Sequence, residues 1–544
     1  MANRNVILSL SKDPLTQPRS TSSRHRSPLK GEGEQGSDFS EAPPVKTCPP
    51  SSFMMSDLGA SHTFRNRGRS RFAERLLVSS RSARPPCQNI CLTKALAHRA
   101  RRKKRMNDFP FKTSYWFDSQ IATSPSLSGA QFADVAVVGG GFAGLSAVQH
   151  LKSSKPNLSV ALVEAKHIGF GASGRNAGWV LSLPPVHWLL DDFDDPQRLD
   201  DIRWTSQFCR DNIVQLGRLV ANEAIDCAWT PSRHLLAARN PLELAALRWI
   251  MQRYEAIGQH CEFFDKEKMT QLVGYPAIAG MAYEFVSIQP YRLARGLRQR
   301  CLDQDIRIYE NTPIKSIRST TQGVQLIAAD GATLTAQKVI LATNAYTNSL
   351  ILDVEIPATS TQHTYMLATE PLKPDMLDRI SQARTPFGDP ALSFYIGRMH
   401  EDRLIFNGID RASQVTPEDD RHLPSFTRLH KEMLRRFLFL ESVPLAGAWG
   451  GAVQQTTTDA PIVQRSESNP NVILNIGYGG GSGVGMALLS GQLTTGLVLE
   501  SEPIDSDAQK LRTLLANSRF PKMGPVRAAF GVLRRIIFGT ARRT

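Results

Sequence analysis

A glycine-rich turn between two apolar segments constrains the fold of this 544-residue chain more than any other feature. Residues 133–138 form an apolar run that leads into Gly139, Gly141 and Gly144, and a stretch of helical character follows. A second apolar run, residues 158–163, comes next. A strand, a Gly-x-Gly-x-x-Gly turn, a helix and a second strand in this order are typical of a dinucleotide-binding βαβ unit.

The glycines and the acid that ends the second run have separate roles in such a unit. Gly139 permits the tight turn, Gly141 lets the backbone approach a pyrophosphate, and Gly144 lets the helix pack closely on the sheet. The start of the helix presents unpaired N–H groups and partial positive charge to the phosphates. Glu164 lies about twenty residues further on, where its carboxylate can accept hydrogen bonds from both ribose hydroxyls. The pattern therefore predicts a dinucleotide with an unphosphorylated ribose.

Residues 171–178, with the sequence GASGRNAG, decide between NAD and FAD. A simple NAD-binding domain has no use for this run of small and polar residues directly after the ribose acid. The run resembles the GASGRNGG-like segment of the D-amino-acid-oxidase-like superfamily of FAD-dependent amine oxidoreductases. The resemblance is closest to the γ-glutamylputrescine oxidase branch, and it implies FAD as the cofactor.

Further segments carry the same resemblance, which covers about residues 110–500. They are the aromatic lead 114–116 (SYW), the adenine-side strand 308–317 (IYENTPIKSI), the strand and turn 338–346 (KVILATNAY), the late strand at Trp449 with Asp459 and Pro461, and the closing strand and Gly-rich turn 470–484. The family's fold implies an α/β protein. It has a Rossmann-like FAD-binding domain and a discontinuous α+β substrate domain built on an antiparallel sheet.

The resemblance assigns the cofactor contacts to the glycine turn, the ribose acid, the polar run, the adenine strand and the closing turn. The predicted cofactor-binding residues are Gly139, Gly140, Gly141, Phe142, Ala143, Gly144, Glu164, Ala165, Gly171, Ala172, Ser173, Arg175, Asn176, Ala177, Gly178, Ile314, Gly481, Ser482, Gly483 and Val484.

Several positions depart from the family pattern. Ser482 stands where relatives often have His, and Trp179 stands where the branch often has Gln. We expect both to face the flavin or the substrate, so the substrate can differ from that of the named branch. Some relatives tether flavin through a His near the position of Arg175 or through a late Cys, and no cysteine follows Cys301. FAD is therefore expected to be bound non-covalently.

Substrate contacts are predicted for Tyr395, Arg398 and Trp449. Arg398 can pair bidentately with a substrate carboxylate, although a surface Arg on a hairpin is the alternative. Tyr365 and Trp449 can form aromatic walls and a cation–π contact to an ammonium group, with ordinary core positions as the alternative. His363 and His400 are interpreted as structural, and no metal site is predicted.

The expected reaction is oxidation of a C–N bond in a small-molecule amine or amino acid. A hydride passes to flavin N5, and the resulting imine hydrolyses to an aldehyde or oxo acid. The electron acceptor is oxygen or an electron carrier. Three alternatives remain: a flavin dehydrogenase that passes electrons to a quinone or carrier, a non-catalytic flavoprotein with nucleic-acid-binding basic arms, and a plain NAD dehydrogenase.

The net charge of +15 does not predict a nucleic-acid-binding body. Residues 1–105 contain 21 Lys+Arg and 7 Asp+Glu, and residues 508–544 contain 9 Lys+Arg and no acid. The part between them is mildly acidic. Residues 1–105 are predicted to be disordered. They represent either a targeting or nucleic-acid arm or, as we favour, upstream sequence that is not part of the working protein.

The chain is too long for one hydrophobic core, so two domains with appendages are expected. The predicted units are a basic extension, 1–105; an FAD-binding domain, 106–185, 286–350 and 445–507; a substrate domain, 186–285 and 351–444; and a basic tail, 508–544. The tail has an amphipathic pattern, but membrane contact is the less favoured interpretation.

The seven cysteines show no paired framework, which favours free thiols in a reducing compartment. No long apolar run predicts a spanning helix, and the start lacks a secretory signal. We therefore expect a cytoplasmic protein.

Overall fold

The structure is a computed structural model that describes residues 109–118, 120–185, 188–189, 193–380, 384–390, 395–479, 482–500 and 506–517, with the backbone alone for Asp410. The predicted extension 1–105 and the tail beyond residue 517 lie outside these residues.

The described strands and helices alternate as far as residue 303, and most of the strands beyond it follow one another directly. The strands are β1 (Ala130–Val138), β2 (Val160–Val163), β3 (Trp179–Val180), β4 (Thr230–Ala238), β5 (Cys261–Phe264), β6 (Ala279–Ser287), β7 (Arg307–Tyr309), β8 (Ile314–Thr320), β9 (Gly323–Ala328), β10 (Thr333–Leu341), β11 (Ile351–Leu352), β12 (Thr359–Thr369), β13 (Phe387–Gly388), β14 (Ile396–His400), β15 (Arg403–Ala412), β16 (Leu445–Thr456), β17 (Ile462–Arg465) and β18 (Val472–Ile476). The helices are Phe142–Ser154, Pro196–Asn222, Pro241–Ala256, Lys266–Val273, Pro290–Asp303, Pro374–Ile380, Pro417–Asp420, Leu423–Arg436, Gly483–Leu499 and Ser506–Ala516, with 3₁₀ turns at Ala172–Gly174, Asn344–Ser349 and Leu438–Ser442.

Several helices begin with a proline preceded by a capping side chain. The Asp195 carboxylate accepts a hydrogen bond from the N–H of Gln197 at 3.0 Å. The Asn240 amide oxygen accepts one from the N–H of Glu243 at 2.9 Å. Both caps satisfy helix donors that have no intrahelical partner, and the following proline has a backbone angle that suits the first turn.

The first sheet has a parallel core in the order β7-β2-β1-β10-β18. Strands β8 and β9 extend it antiparallel beside β10, and β17 pairs antiparallel with β18. Alternate residues of β1 pack on opposite faces. Val135 and Val137 contact the side covered by helix Phe142–Ser154, whereas Ala136 and Val138 join the cluster that includes β8 and β9 residues. Because both faces are covered, the strands are continuous apolar runs.

The second sheet has the order β16-β12-β15-β14-β13-β4-β6-β3, and β5 also pairs with β6. All its pairings are antiparallel except that of β13 with β4. Helix Leu423–Arg436 covers one face through Phe426, Leu429 and Met433. One largely parallel and one largely antiparallel sheet confirm the predicted fold class.

Strand pairing bears on the predicted segment boundaries. Strand β16 lies in the second sheet, although residues 445–507 were assigned to the cofactor domain. Strand β3, within residues 106–185, also joins the second sheet. Chain segments therefore return to the first sheet after Thr456, at β17 and β18. The division into two domains stays a prediction.

Candidate cofactor and substrate site

The glycine turn follows β1 and lies at the carboxyl ends of the parallel strands. Gly139 has a φ of +111°, and its N–H donates to the Val163 carbonyl at 2.8 Å. A Cβ at Gly139 would lie 2.5 Å from the Ala342 carbonyl oxygen. A Cβ at Gly144 would lie 2.0 Å from the Gly139 carbonyl oxygen. Only glycine fits at these two positions, as the sequence pattern predicts.

Helix Phe142–Ser154 begins directly after this turn. The cap residue is Gly141, which has no side chain to bond the first N–H groups, and the first turn has no acidic residue. The Phe142 N–H donates to Ser173 Oγ at 2.9 Å. The positive end of the helix is therefore not neutralised by an acid of its own first turn, which fits a pyrophosphate.

Glu164 follows β2 beside the glycine turn. Its carboxylate accepts hydrogen bonds from the N–H groups of Gly140 at 2.7 Å and Lys166 at 3.0 Å. Burial raises the pKa of Glu164, and these two N–H groups act in the opposite direction. Each carboxylate oxygen accepts one bond here and retains a further lone pair for a ribose hydroxyl.

Glu310 belongs to a segment that the sequence predicts as a strand, but no role was predicted for this residue. Its side chain is fully buried and accepts hydrogen bonds from the N–H groups of Ile168 and Ser124, both at 2.7 Å. Arg298 Nε also donates to it at 2.9 Å. Glu310 thus fixes the segment that follows Glu164. Glu310 directly follows β7, and no pattern in the sequence distinguished it from other acids between strands.

Ile314 begins β8 close to the ribose acid. Two residues earlier, the Thr312 N–H donates to the Glu164 carbonyl oxygen at 2.9 Å. Ile314 itself is buried. Its backbone contact with adenine stays a prediction.

The polar run 171–178 is held by its own Asn176. The Asn176 amide donates to the carbonyls of Ala172 at 3.0 Å and Ser173 at 2.9 Å, and its oxygen accepts from the Gly178 N–H at 2.8 Å. Gly178 has a φ of +78°. The run is therefore a hydrogen-bonded turn with its small residues beside the glycine turn. We call it the flavin loop, after the contact that the sequence resemblance predicts for it.

The aromatic lead is hydrogen-bonded to the backbone of the flavin loop. Ser114 Oγ donates to the Gly174 carbonyl at 2.8 Å. Trp116 Nε1 donates to the Asn176 carbonyl at 2.8 Å. The lead at 114–116 thus packs on the flavin loop.

Arg175 points out of the flavin loop toward the second sheet. Its guanidinium is 3% exposed and pairs with Asp420 at 2.9 Å. The other Asp420 oxygen lies 3.0 Å from His363 Nε2, and His363 Nδ1 lies 2.6 Å from Ser413 Oγ. His363 is therefore buried in a polar chain behind the loop that reaches the partly exposed Asp420, and its structural role stays a prediction.

Arg398 lies on the side of β14 that faces the flavin loop. Its Nε donates to the Ala177 carbonyl at 2.7 Å and its Nη2 to the Ile288 carbonyl at 2.6 Å. The side chain is 3% exposed, so the alternative of a surface arginine on a hairpin is wrong. Burial lowers the pKa of Arg398 to about 9, and the described side chains include no carboxylate paired with it. Its pairing with a substrate carboxylate stays a prediction.

Trp449 lies on the same side of the second sheet. It pairs with Met366 of β12, which pairs with Asn407 of β15, which pairs with Ile396 of β14. These residues therefore share a face with Arg398, which we call the loop-facing side. Trp449 is fully buried, and its Nε1 donates to the Arg175 carbonyl at 2.8 Å. Whether it contacts substrate stays a prediction.

Tyr395 does not face the flavin loop, so its prediction as a residue of the same pocket as Arg398 is wrong. Its ring stacks on Phe406 at 6.1 Å, and the Arg436 guanidinium lies 5.0 Å from its centre. These residues lie on the opposite side, under helix Leu423–Arg436. The reason is strand alternation, because residues three apart in an extended segment point to opposite faces. Tyr365 lies in the same opposite core.

The closing turn follows β18 and leads to a helix that begins near the flavin loop. Asn344, which has a φ of +44°, accepts hydrogen bonds from the N–H groups of Gly477 and Tyr478, both at 3.1 Å. A Cβ at Gly485 would lie 3.0 Å from the Leu181 carbonyl oxygen, just beyond the flavin loop. Gly483 and Val484 start helix Gly483–Leu499, and Ser482 precedes them as a buried residue. Gly481 lies outside the described residues.

The described His, Cys, Asp and Glu side chains form no group that can hold a metal ion. Within the described residues, each helix is too short or too polar to cross a membrane. The described cysteines, 209, 227, 261 and 301, are buried and free.

Comparisons with known proteins agree with this geometry. A family model described as DAO, FAD dependent oxidoreductase, matches residues 134–497, which is well over half of the chain. The chain is 26% identical over 398 residues to the probable oxidoreductase OrdL of Haemophilus influenzae, which covers 71% of this chain and 88% of that protein. It is 26% identical over 392 residues to γ-glutamylputrescine oxidoreductase of Escherichia coli, with the same two coverages, 71% and 88%.

Among solved structures, the glycine oxidase from Bacillus cereus ATCC 14579 superposes with a TM-score of 0.56. It is 18% identical and covers 72% of this chain and 99% of that one. Together these matches confirm the predicted family resemblance, an FAD-dependent oxidoreductase, and FAD as the cofactor. The individual contacts to FAD stay predictions.

Proposed function

Because the chain belongs to the DAO family of FAD-dependent oxidoreductases, we propose that it oxidises the C–N bond of a small amine or amino acid. The product is an imine that hydrolyses in water to an aldehyde or an oxo acid. Two relatives support a nitrogen-bearing substrate, since one is named for γ-glutamylputrescine and another for glycine.

The observation that carries the proposal is the double attachment of the flavin loop. On one side, Ser173 Oγ accepts from Phe142 N–H at the start of the nucleotide helix. On the other side, Ala177 accepts from Arg398 of the second sheet. A cofactor that follows the helix start and this loop therefore meets the loop-facing side of the second sheet, where a substrate would be bound.

The residues that would hold FAD are the glycine turn and helix start for the pyrophosphate, Glu164 for a ribose, and the flavin loop for the ring system. When bound, FAD supplies the two-electron oxidation of the carbon beside the amine nitrogen. A Cβ at Gly139, Gly141 or Gly144 would lie within 3 Å of neighbouring protein atoms, so these positions have the close packing that a dinucleotide-binding turn requires.

The chain's own part is to place the substrate and to exclude water. On the loop-facing side, Met366, Ile405 and Trp449 are almost completely buried and pack with Trp116 and Tyr291, so this part of the sheet is apolar and closed to water. Arg398 is a buried cation without an acid partner among the described side chains. An unpaired buried charge is costly, and a substrate carboxylate would offset it with charge-assisted hydrogen bonds.

Oxygen or an electron carrier receives the electrons, and a cytoplasmic location fits the free buried thiols. Rapid reoxidation of the reduced protein in air, followed by stopped flow, is the result expected of an oxidase. Slow reoxidation with fast electron transfer to a quinone indicates a dehydrogenase.

The proposal is tested by anaerobic bleaching of the FAD-loaded protein with a panel of amines and of D- and L-amino acids. Bleaching by at least one member is expected, and a protein that holds FAD but is reduced by none of them contradicts the proposal. Arg398→Lys should raise KM for a reactive amino acid about ten-fold or more. The corresponding decarboxylated amine serves as the control, since it lacks the carboxylate. FAD absorbance of the variant shows whether the loop still binds the cofactor.

A further inference from the structure

Trp179 occupies the point where the flavin loop enters the second sheet. It follows Gly178 directly and pairs with Ser287 of β6. Its indole meets the edge of the His234 ring, with centroids 4.3 Å apart and planes at 71°. The Phe285 ring lies 5.0 Å away on the same indole. Trp179, His234 and Phe285 therefore form an aromatic group beside the flavin loop.

Two nitrogen atoms in this group have no partner among the described residues. Trp179 Nε1 and His234 Nε2 are both buried and make no hydrogen bond there. The His234 side chain is only 3% exposed, and its other nitrogen, Nδ1, lies 2.6 Å from the Tyr283 hydroxyl. A buried polar atom without a partner costs about 1–3 kcal/mol. Two such atoms on rings in contact indicate a place where a ligand supplies the partners.

Gly388 packs directly against the imidazole. A Cβ at Gly388 would lie 3.0 Å from His234 Nε2 and 3.0 Å from Ile396 Cγ2. Gly388 pairs with Ile396, and Ile396 shares the loop-facing side with Arg398. His234 Nε2 therefore lies against the Gly388 backbone on the loop-facing side, and any side chain at residue 388 would crowd it.

The chemistry of the group favours an uncharged ligand. Burial lowers the pKa of His234 to about 3, so its imidazole is neutral at physiological pH. The rings in contact with it are Trp179, Tyr283 and Phe285, none of which carries a charge. These rings offer no counter-ion to an ammonium or a carboxylate, and a buried charge without one is costly. A substrate carboxylate is instead expected at Arg398, next to Ala177. A carbonyl oxygen accepts from the indole N–H, and an imidazole nitrogen serves a neutral amide as donor or acceptor.

We propose that Trp179 Nε1 and His234 Nε2 form a subsite for a neutral carbonyl group, such as a carboxamide, at the substrate end remote from the oxidised C–N bond. This subsite rests on the proposed amine oxidation. It adds a determinant of substrate choice at a position where the sequence departs from its family pattern.

Three amines with the same aminoalkyl chain test the subsite: 5-aminopentanamide, 5-methylhexylamine and 5-aminopentanoate. Their dissociation constants are measured by calorimetry without oxygen, on FAD-loaded protein whose flavin is reduced beforehand so that no ligand is turned over. We expect the amide to bind about ten-fold or more tightly than 5-methylhexylamine, which corresponds to about 1.4 kcal/mol. Equal affinities, or tighter binding of the carboxylate than of the amide, overturn the proposal.

Two variants locate the effect. Trp179→Phe keeps an aromatic ring but removes the N–H, and it should abolish the preference for the amide. Gly388→Ala places a methyl group against His234 Nε2 and should weaken amide binding as well. Trp204→Phe is the control, because that indole stacks on Phe208 in helix Pro196–Asn222. An amide preference that survives both test variants overturns the subsite.

Anaerobic bleaching with the same amines separates this proposal from the proposed function. A preference for the amide without bleaching by any amine supports the subsite and contradicts amine oxidation. Bleaching without a preference for the amide supports amine oxidation and contradicts the subsite.

Discussion

The glycine turn of the first sheet and the loop-facing side of the second sheet are connected through the flavin loop but are built differently. At the turn, main-chain atoms make the contacts, and Gly139 and Gly144 are required because a Cβ would overlap a carbonyl oxygen. On the second sheet, side chains from β4, β12, β14 and β16 reach the site from distant parts of the sequence. A site made of backbone is conspicuous in the sequence, whereas one made of side chains depends on which way each strand faces.

Replacement of Gly144 should break the turn, with the largest effect of the variants considered. Alanine favours a helix over glycine by about 1 kcal/mol. At Gly144, however, its Cβ would lie 2.0 Å from the Gly139 carbonyl. Gly144→Ala should therefore cost about 3 kcal/mol or more, and little FAD should copurify.

Gly496→Ala is the matched control for that variant. Gly496 is also helical, and a Cβ there would meet only Arg512 Nη1, at 3.7 Å. It should be neutral or slightly stabilising in urea unfolding. If both variants keep full FAD content and stability, the close approach at Gly144 is not a requirement.

Glu310→Gln tests whether side chains also contribute to the nucleotide region. The substitution leaves Arg298 buried without its carboxylate, a change that costs about 3–5 kcal/mol. It should lower the urea midpoint and weaken FAD binding, measured by fluorescence titration of the apoprotein. Glu370→Gln breaks a more exposed pair with Arg403, for which less than about 1 kcal/mol is expected. Equal effects of the two variants would show that Glu310 has no special role.

His234 should make the second-sheet region sensitive to acid. Its pKa is about 3 in the folded protein, against an ordinary 6.5. The unfolded chain therefore binds more protons between these values, and stability falls as pH decreases through that window. At pH 5 the loss is about 2 kcal/mol relative to pH 7.5.

The variant His234→Gln removes this titration. Urea unfolding at pH 7.5 and at pH 5 should show a loss of stability smaller by about 2 kcal/mol than in the unsubstituted protein. An unchanged difference between the two pH values would mean that His234 is not buried as a neutral imidazole.

Tyr395→Phe should leave catalysis almost unchanged. The residue lies under helix Leu423–Arg436, on the side of the sheet away from the flavin loop. Removal of its hydroxyl should change kcat/KM less than about two-fold, whereas Arg398→Lys should reduce it for carboxylated substrates about ten-fold or more. A large effect of Tyr395→Phe with unaltered stability would restore it to the substrate site.

Residues whose role follows from local sequence were predictable. Gly139, Gly141, Gly144 and Glu164 occur at fixed spacing in one βαβ unit, and the structure places them together at the ends of adjacent strands. Asn344 was missed because its role, bonding Gly477 and Tyr478, requires two strands distant in sequence to be neighbours. Tyr395 was misplaced because the sequence shows the alternation of a strand but not which face is covered by a helix.

By itself the sequence determined the nucleotide region and the family, because a turn without room for side chains permits only glycine and leaves a recognisable spacing. Only the tertiary structure decided that Arg398 is buried against the flavin loop. It also decided that Trp179 and His234 adjoin each other, each with a nitrogen that has no partner among the described residues. Burial and the pairing of distant strands arise when the two sheets pack, so no local pattern specifies them.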